Sequence, residues 1–306
     1  MKVGILEFQD NPFIRGVVQR LSDLDTEFIR FGELVHPRSS PYRVVIDRVS
    51  FCDPYLRTIL RYWSRGGAYV INNPFFTLTT DKFSELLLYD SLGIRHPRTV
   101  VLPRINKAED VREMVAPPDW KKIEEHVGFP CILKPVDGYG WQDVFRVETP
   151  DALRSLYESL SDSRVLVVQE LIHHVDYVRA FCVESGDVFI VRWTPRPFDM
   201  AEYSLLGTDE LKDVREELER KTAALTDAQG LDFNTVEWSI TADHRVVVID
   251  SYNDVPDVRP EKLPAQCFEW VLDRFCACVR RKLASEETNP VIGPQAGPPS
   301  GPGLKP

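Results

Sequence analysis

Gly128-Phe-Pro-Cys-Ile-Leu-Lys134-Pro-Val-Asp-Gly-Tyr-Gly140 is the stretch on which the reading of this chain turns. Cys131–Val136 is an apolar strand candidate that delivers a lysine just before the glycine pair Gly138 and Gly140. A strand fixes where its lysine points, so the Lys134 ammonium suits the α- and β-phosphates of a nucleotide. Two nearby glycines let backbone N–H groups come close to the same anion. From these residues alone, an ordinary hairpin with one exposed lysine fits equally well.

Moving outward, Val144–Val147 reads as the partner strand and Asp151–Ser159 as a helix, while the polar segment Pro103–His126, with Pro117-Pro118, reads as a connector with helix at both ends. The strand Val165–Gln169 ends in Gln169-Glu170-Leu171-Ile172, where backbone donors and acceptors could meet a purine edge, and Asp176 follows as an acceptor for ribose hydroxyls. Taken singly, this is also simply a buried strand with a polar end. A hairpin is predicted for Tyr177–Val183 and Val188–Trp193 around Ser185-Gly186-Asp187. Arg179, Arg192 and Arg196 flank it, and arginines beside phosphates can stabilise charge that builds in a transition state. Arg196 lies between two prolines, so a surface role remains open for it.

Two further strands, Thr235–Ile240 and Arg245–Asp250, carry Glu237 and Asp250 among apolar neighbours, with Asn253 just beyond. An unpaired carboxylate in an apolar strand is costly, and two acids plus an amide are the hard oxygen ligands that magnesium takes. These three residues are therefore predicted to hold a divalent cation. Asp254 and Asp257 are alternatives for the third position, because two residues separate Asp250 from Asn253.

Upstream, Val3–Phe8, Glu27–Phe31, Tyr42–Val49 and Ala68–Ile71 are strand candidates that alternate with proline-started helices at Pro12–Leu21 and Pro54–Arg65, the pattern of a parallel sheet with crossover helices. Glu7-Phe-Gln-Asp-Asn-Pro12 stands where a dinucleotide fingerprint would carry glycines, so no dinucleotide site is expected there. A capped helix is predicted over Thr79–Tyr89, with Lys82 on it; a helical lysine by itself usually faces solvent. Leu211–Ala228 and Leu263–Leu283 read as long helices. From Ser285 onward, six prolines and four glycines in 22 residues predict a flexible tail.

The 306 residues carry 37 basic against 47 acidic side chains, a net charge of −10, which opposes nucleic acid as a partner. No apolar run reaches the ~18 residues of a membrane span. The six scattered cysteines form no C-x-x-C pair and suit a reduced, cytoplasmic setting. His173-His174 are adjacent, face opposite ways, and do not read as a catalytic pair. No Ser/His/Asp or Cys/His arrangement suggests a protein nucleophile.

Taken together, Asp81-Lys82, Lys134-Pro-Val-Asp-Gly-Tyr-Gly140, Gln169-Glu-Leu-Ile172, Asp176-Tyr-Val-Arg179, Glu237 and Ile249-Asp-Ser-Tyr-Asn253 resemble, in type and order, the ATP-grasp superfamily, which includes D-alanine–D-alanine ligases, glutathione synthetases and ribosomal-protein glutamate ligases. The resemblance covers about residues 72–283. It implies an α/β (α+β) chain: a small Rossmann-like parallel α/β domain over 1–76, an ATP-grasp domain over 77–284 with a lid at about 110–168, and a tail over 285–306. It implies that Lys82 and Lys134 are the nucleotide-binding lysines, that Gly138 and Gly140 contact phosphate, and that Gln169, Glu170, Leu171 and Ile172 form the adenine hinge. Asp176 would face the ribose; Arg179 and either Arg192 or Arg196 would lie near the γ-phosphate and acyl group; Glu237, Asp250 and Asn253 would hold Mg2+, with Mn2+ as a substitute.

The expected activity is ATP-dependent joining of a carboxylate to an amine, an amino acid or peptide, through an acyl phosphate. A small-molecule kinase and a nucleotide-binding scaffold without turnover are the alternatives. Homodimerisation is a further expectation. The sequence departs from the family pattern in two places: Tyr139, Trp141, Gln142 and Asp143 occupy a loop usually richer in glycine, and the acid-to-Asn spacing is one residue longer.

Overall fold

In the computed structural model, the chain is described over residues 2–290 apart from 37–38, 77–80, 105–113, 138–139, 197–199, 201 and 208–209. The first four strands, β1 (Lys2–Leu6), β2 (Asp25–Phe28), β3 (Val44–Asp47) and β4 (Tyr69–Ile71), form a parallel sheet in the order β2-β1-β3-β4. Helix α1 (Pro12–Arg20) starts where the Asn11 side chain accepts from the amides of Phe13 and Ile14. Helix α2 (Pro54–Arg65) is capped by Asp53 in the same way. Each has proline in its first turn, where no intrahelical donor is needed. They cover opposite faces of the sheet: Phe13, Ile14 and Val17 pack with Val3, Ile5 and Val44, while Ile59, Leu60 and Trp63 pack with Val45 and Val70.

The next unit is antiparallel. Strands β5 (Thr99–Leu102), β6 (Cys131–Pro135), β7 (Phe145–Val147) and β8 (Leu166–Glu170) pair in the order β5-β8-β6-β7. Helices α4 (Trp120–Val127) and α5 (Pro150–Leu160), which follow the shorter α3 (Glu85–Ser91), bury Ile123, Val127, Leu153 and Tyr157 against Leu133 and Val168. Since side chains alternate along a strand, Leu133 toward the helices leaves Lys134 on the other face.

The third sheet, β11-β10-β9-β12-β13, is also antiparallel. It comprises β9 (Asp176–Val183), β10 (Asp187–Trp193), β11 (Tyr203–Leu205), β12 (Phe233–Ile240) and β13 (Val246–Asp250). Helix α6 (Lys212–Ala228) covers one face, burying Val214, Leu218 and Leu225 against Val178, Ala180, Val236 and Trp238. Helix α7 (Ala265–Ala284) covers part of the other, and its Val271, Leu272 and Phe275 share one core with α1, Phe181 and Phe233. Gly16 allows that approach: a Cβ there would sit 2.9 Å from Leu272 Cδ1.

Several details differ from the sequence expectations. Strands β5 and β11 were not anticipated. The helix expected from Thr79 starts only at Glu85; Thr79 lies outside the described residues, and Asp81–Ser84 is a turn in which the Asp81 carboxylate accepts from the amides of Phe83 and Ser84 at 2.9 and 2.8 Å. Lys82 therefore sits on a turn, not on a helix. No helix among the described residues is long and apolar enough to cross a membrane.

Residues 285–290 of the expected tail are tied to the parallel sheet. Asn289 is 4% exposed. Its Oδ1 accepts from Val70 N at 2.7 Å and its Nδ2 donates to Val70 O at 2.9 Å, while Ser64 Oγ donates to Oδ1 at 2.9 Å. Asn289→Ala would strand a buried donor and acceptor, so a loss of about 1–3 kcal/mol in urea unfolding is expected.

Candidate active site

Register brings three of the predicted residues together. Glu237 on β12 is the cross-strand partner of Arg179 on β9 and of Asp250 on β13. Simple alternation would not have produced the second pairing. Val246 and Val248 pack toward α6, so Asp250 two residues later would point there too. The register shifts at this point, with Trp238 opposite Val248 but Glu237 opposite Asp250, leaving Ile249 as an extra residue. This bulge turns Asp250 to the side of Glu237, the re-aiming that bulges provide beside functional sites. Ile249 packs near Tyr177 and Trp193.

Glu237 is 8% exposed and is held on both oxygens: the Arg179 guanidinium bonds Oε1, and Tyr177 OH donates to Oε2 at 3.1 Å. Burial pushes the Glu237 carboxyl up against the pull of Arg179, and the guanidinium stays charged. Arg179 is further confined by the Trp193 ring, 4.3 Å from its Cζ, and by Tyr203 OH, which accepts from Nη1 at 2.6 Å. The cost of burying Glu237 is thus met by a protein cation, and burial alone does not call for a metal at this residue.

Asp250 faces the lysines. Lys82 Nζ lies 3.1 Å from its Oδ2, and the Lys82 amide donates to Val136 O at 3.1 Å, which ties the turn to the strand that bears Lys134. Burial pushes the Asp250 carboxyl up, but Lys82 and then Lys134 hold it below the usual carboxylate range. Lys134 is 7% exposed; burial, together with the Lys82 charge, brings its ammonium down to about 8, with Asp250 and Glu237 pulling the other way. Lys82, Lys134, Arg179, Glu237 and Asp250 are therefore one electrostatic cluster. Asn253 stands close behind, its Nδ2 donating to Thr235 O at 2.8 Å, which leaves the amide oxygen for a cation. Asp257 is held bidentately by Arg259 at 3.0 Å on each oxygen, and Asp254 lies 3.7 Å from Arg57. No three His, Cys, Asp or Glu side chains cluster as a metal cage among the described residues.

The remaining predicted residues sit around this cluster rather than in it. Asp176 and Arg192 are bonded to each other across the hairpin, Nε to Oδ1 at 2.9 Å and Nη2 to Oδ2 at 2.7 Å. Arg196 is half exposed and 3.8 Å from Glu202. Gln169 Nε2 donates to Thr99 Oγ1 at 3.0 Å, and Glu170 is paired with Arg98 at 2.9 Å. Glu170, Leu171 and Ile172 line a cleft of about 550 Å³ with Ile94–His96 and Thr241, Asp243, Arg245 and Val247. Lys134, Glu237 and Asp250 do not line that cleft. Gly140 has a left-handed backbone (φ 63°), as do Trp141 and Asp143; Gly138 lies outside the described residues. Tyr177, Trp193 and Tyr203 were missed by sequence reasoning. Tyr177 was findable, since it lies two residues before Arg179 and so on the same strand face.

Two antiparallel sheets, with the lysine-bearing face of one turned toward the acid-bearing strands of the other, following a parallel α/β unit, are the ATP-grasp fold. No protein-family model matches the sequence, and no curated protein matches it. Solved structures do. A RimK-domain ATP-grasp protein from Sphaerobacter thermophilus aligns with a TM-score of 0.64 at 17% identity over 93% of this chain and 100% of its own. The ATP-grasp ligase PsnB, complexed with a phosphomimetic variant of its minimal precursor, Mg and ADP, aligns with a TM-score of 0.63 at 17% identity over 92% of this chain and 98% of its own. The D-alanine–D-alanine ligase from Bacillus anthracis, complexed with ATP, gives 0.64 at 14% identity over 93% and 97%.

Proposed function

We propose that the chain is an ATP-dependent carboxylate–amine ligase that forms an amide or peptide bond through an acyl phosphate, with release of ADP and phosphate. The observation that carries this reading is the convergence of Lys134 from one antiparallel sheet with Asp250 and Glu237 from the other, joined by Lys82 from the turn before α3. Bound ATP would meet the Lys134 ammonium with its α- and β-phosphates. Asp250, Glu237 and the Asn253 oxygen are the donors that would hold Mg2+. The donor set is hard oxygen throughout, which suits that ion or Mn2+. When bound, the metal would neutralise charge on the β- and γ-phosphate oxygens. Asn253, whose Nδ2 is turned to Thr235 O, is taken as the third ligand ahead of Asp254 and Asp257.

Arg179, fixed by Glu237 and stacked on Trp193, would stabilise the oxyanion as the amine attacks the acyl phosphate. Arg192 serves the ribose side by holding Asp176, and Arg196 is left as a surface residue. The backbone of Leu171 and Ile172, beyond the end of β8, supplies the adenine contacts. The chemistry rests on positioning and charge, not on a protein nucleophile. Likeness to PsnB, bound to a precursor, and to D-alanine–D-alanine ligase favours an amino acid or peptide acceptor.

The test is a mass-spectrometric screen for ATP-dependent coupling among pooled amino acids and short peptides, with ADP and phosphate followed in parallel. New amide product with free phosphate is expected, and Asp250→Asn should abolish it. Phosphate retained on the acceptor would instead identify a kinase, and no ADP with any acceptor would identify a scaffold.

A further inference from the structure

Behind Asp250 and Asn253 lies a closed set of polar side chains that the reaction itself does not use. Ser251 is fully buried. Its Oγ accepts from Gln229 Nε2 at 2.7 Å, lies 2.8 Å from Tyr89 OH, and donates to Glu85 Oε2 at 3.3 Å. Gln229 Nε2 also donates to Glu85 Oε2 at 2.5 Å. Asn234 Nδ2 donates to Gln229 Oε1 at 3.1 Å and to Ser251 O at 2.8 Å, and Asn234 Oδ1 accepts from Asn253 N at 3.0 Å. None of these side-chain atoms is left buried without a partner.

The set joins four elements: Glu85 opens α3 three residues after Lys82, Gln229 follows the last turn of α6, Asn234 is on β12, and Ser251 follows β13. Gly230 follows Gln229 with φ 63°, a backbone that turns the chain at once from α6 toward β12 and that a side chain would disfavour. Buried polar groups are costly unless each is satisfied, and a fully satisfied network holds its members in one geometry. Here the members held are the main chain of Ser251 and Asn253, on either side of the extra residue that lengthens the acid-to-Asn spacing.

We propose that Glu85, Gln229 and Asn234 are positioning residues that clamp the Ser251–Asn253 turn, so that Asp250 and Asn253 face one divalent cation despite the longer spacing. This rests on the metal reading of Asp250 and Asn253 given above. The clamp acts through the turn and touches neither nucleotide nor metal.

The experiment measures ADP affinity by calorimetry with and without Mg2+ in the wild type, Glu85→Ala and Glu85→Gln. Wild-type ADP binding should strengthen with Mg2+. Glu85→Ala should require at least about tenfold more Mg2+ for the same gain, a loss of about 1.4 kcal/mol, with metal-free ADP binding within twofold of wild type. Glu85→Gln, which keeps an oxygen to accept from Gln229 and Ser251, should restore most of the Mg2+ response. If Glu85→Ala lowers the melting temperature but leaves the Mg2+ requirement unchanged, the network is structural only and the clamp is refuted. If the wild type itself shows no Mg2+ effect on ADP binding, the metal reading fails and the clamp fails with it. Should Glu85→Ala not fold, Ser251→Ala, which removes the central hydroxyl at little change in volume, carries the same comparison with the same two outcomes.

Discussion

Lys134→Met is expected to weaken ATP binding by about tenfold to a hundredfold, the value of one charge-assisted contact to phosphate, while the melting temperature stays level or rises. Stability should not suffer because the ammonium is a buried charge whose protonation is disfavoured by its surroundings: burial and the neighbouring Lys82 bring it down to about 8. Below pH 8 the folded and unfolded chains both carry the proton, and the fold bears the cost of burying it. Between pH 8 and the unfolded value of about 10.4 the folded lysine is neutral while the unfolded one is still charged. The contribution of this group to stability therefore improves as pH rises through that window. ATP affinity should move the other way, falling from about pH 8 upward as the free protein loses the charge that meets phosphate. Calorimetric titrations between pH 7 and 9.5 check both statements. A wild-type affinity that is flat over this range, or a Lys134→Met variant that binds ATP normally, would remove Lys134 from the nucleotide site.

The second large effect concerns Arg179. Removing its guanidinium as Arg179→Met leaves the Glu237 carboxylate buried beside Asp250 with only Tyr177 as donor. Stranding one member of a buried ion pair costs about 3–5 kcal/mol. Glu237→Gln should cost less, because the amide oxygen can still accept from Arg179 while the amide NH2 can donate to the Tyr177 hydroxyl oxygen. In the double variant Arg179→Met/Glu237→Gln this pair leaves no charge unpaired, so its loss of stability should be smaller than the sum of the two single losses. Urea unfolding of the four proteins gives the coupling directly. Additive losses would mean that the contact between Arg179 and Glu237 contributes little.

The parallel unit was legible because three of its strands, β1, β3 and β4, are short apolar runs separated by proline-started helices; β2, Asp25–Phe28, is polar and was expected two residues later, at Glu27–Phe31. The lysine strand, the hairpin and the two acid-bearing strands were legible for the same reason. Where local signals fade, the reading failed: the turn at Lys82 carries the composition of a helix start. At the site, the identities of Lys134, Glu237 and Asp250 stood out because charge in an apolar strand is unusual. Their arrangement did not. The bulge at Ile249 leaves no mark in composition, and without it Glu237 and Asp250 would face opposite sides of the sheet. Nor could the sequence show that Arg192 grips Asp176, since that bond joins residues sixteen apart in the chain.

Asn289 has a consequence beyond the hydrogen bonds it makes. β4 is a terminal strand of its sheet, and such a strand displays free peptide groups to any passing extended chain. A side-chain amide carries one donor and one acceptor in the same array as a peptide unit. Placed against Val70 N and O, it occupies the position that the backbone of an added strand would take. Asn289 thus blocks one position of this edge, and Asn289→Ala should be felt as edge-to-edge self-association at high protein concentration.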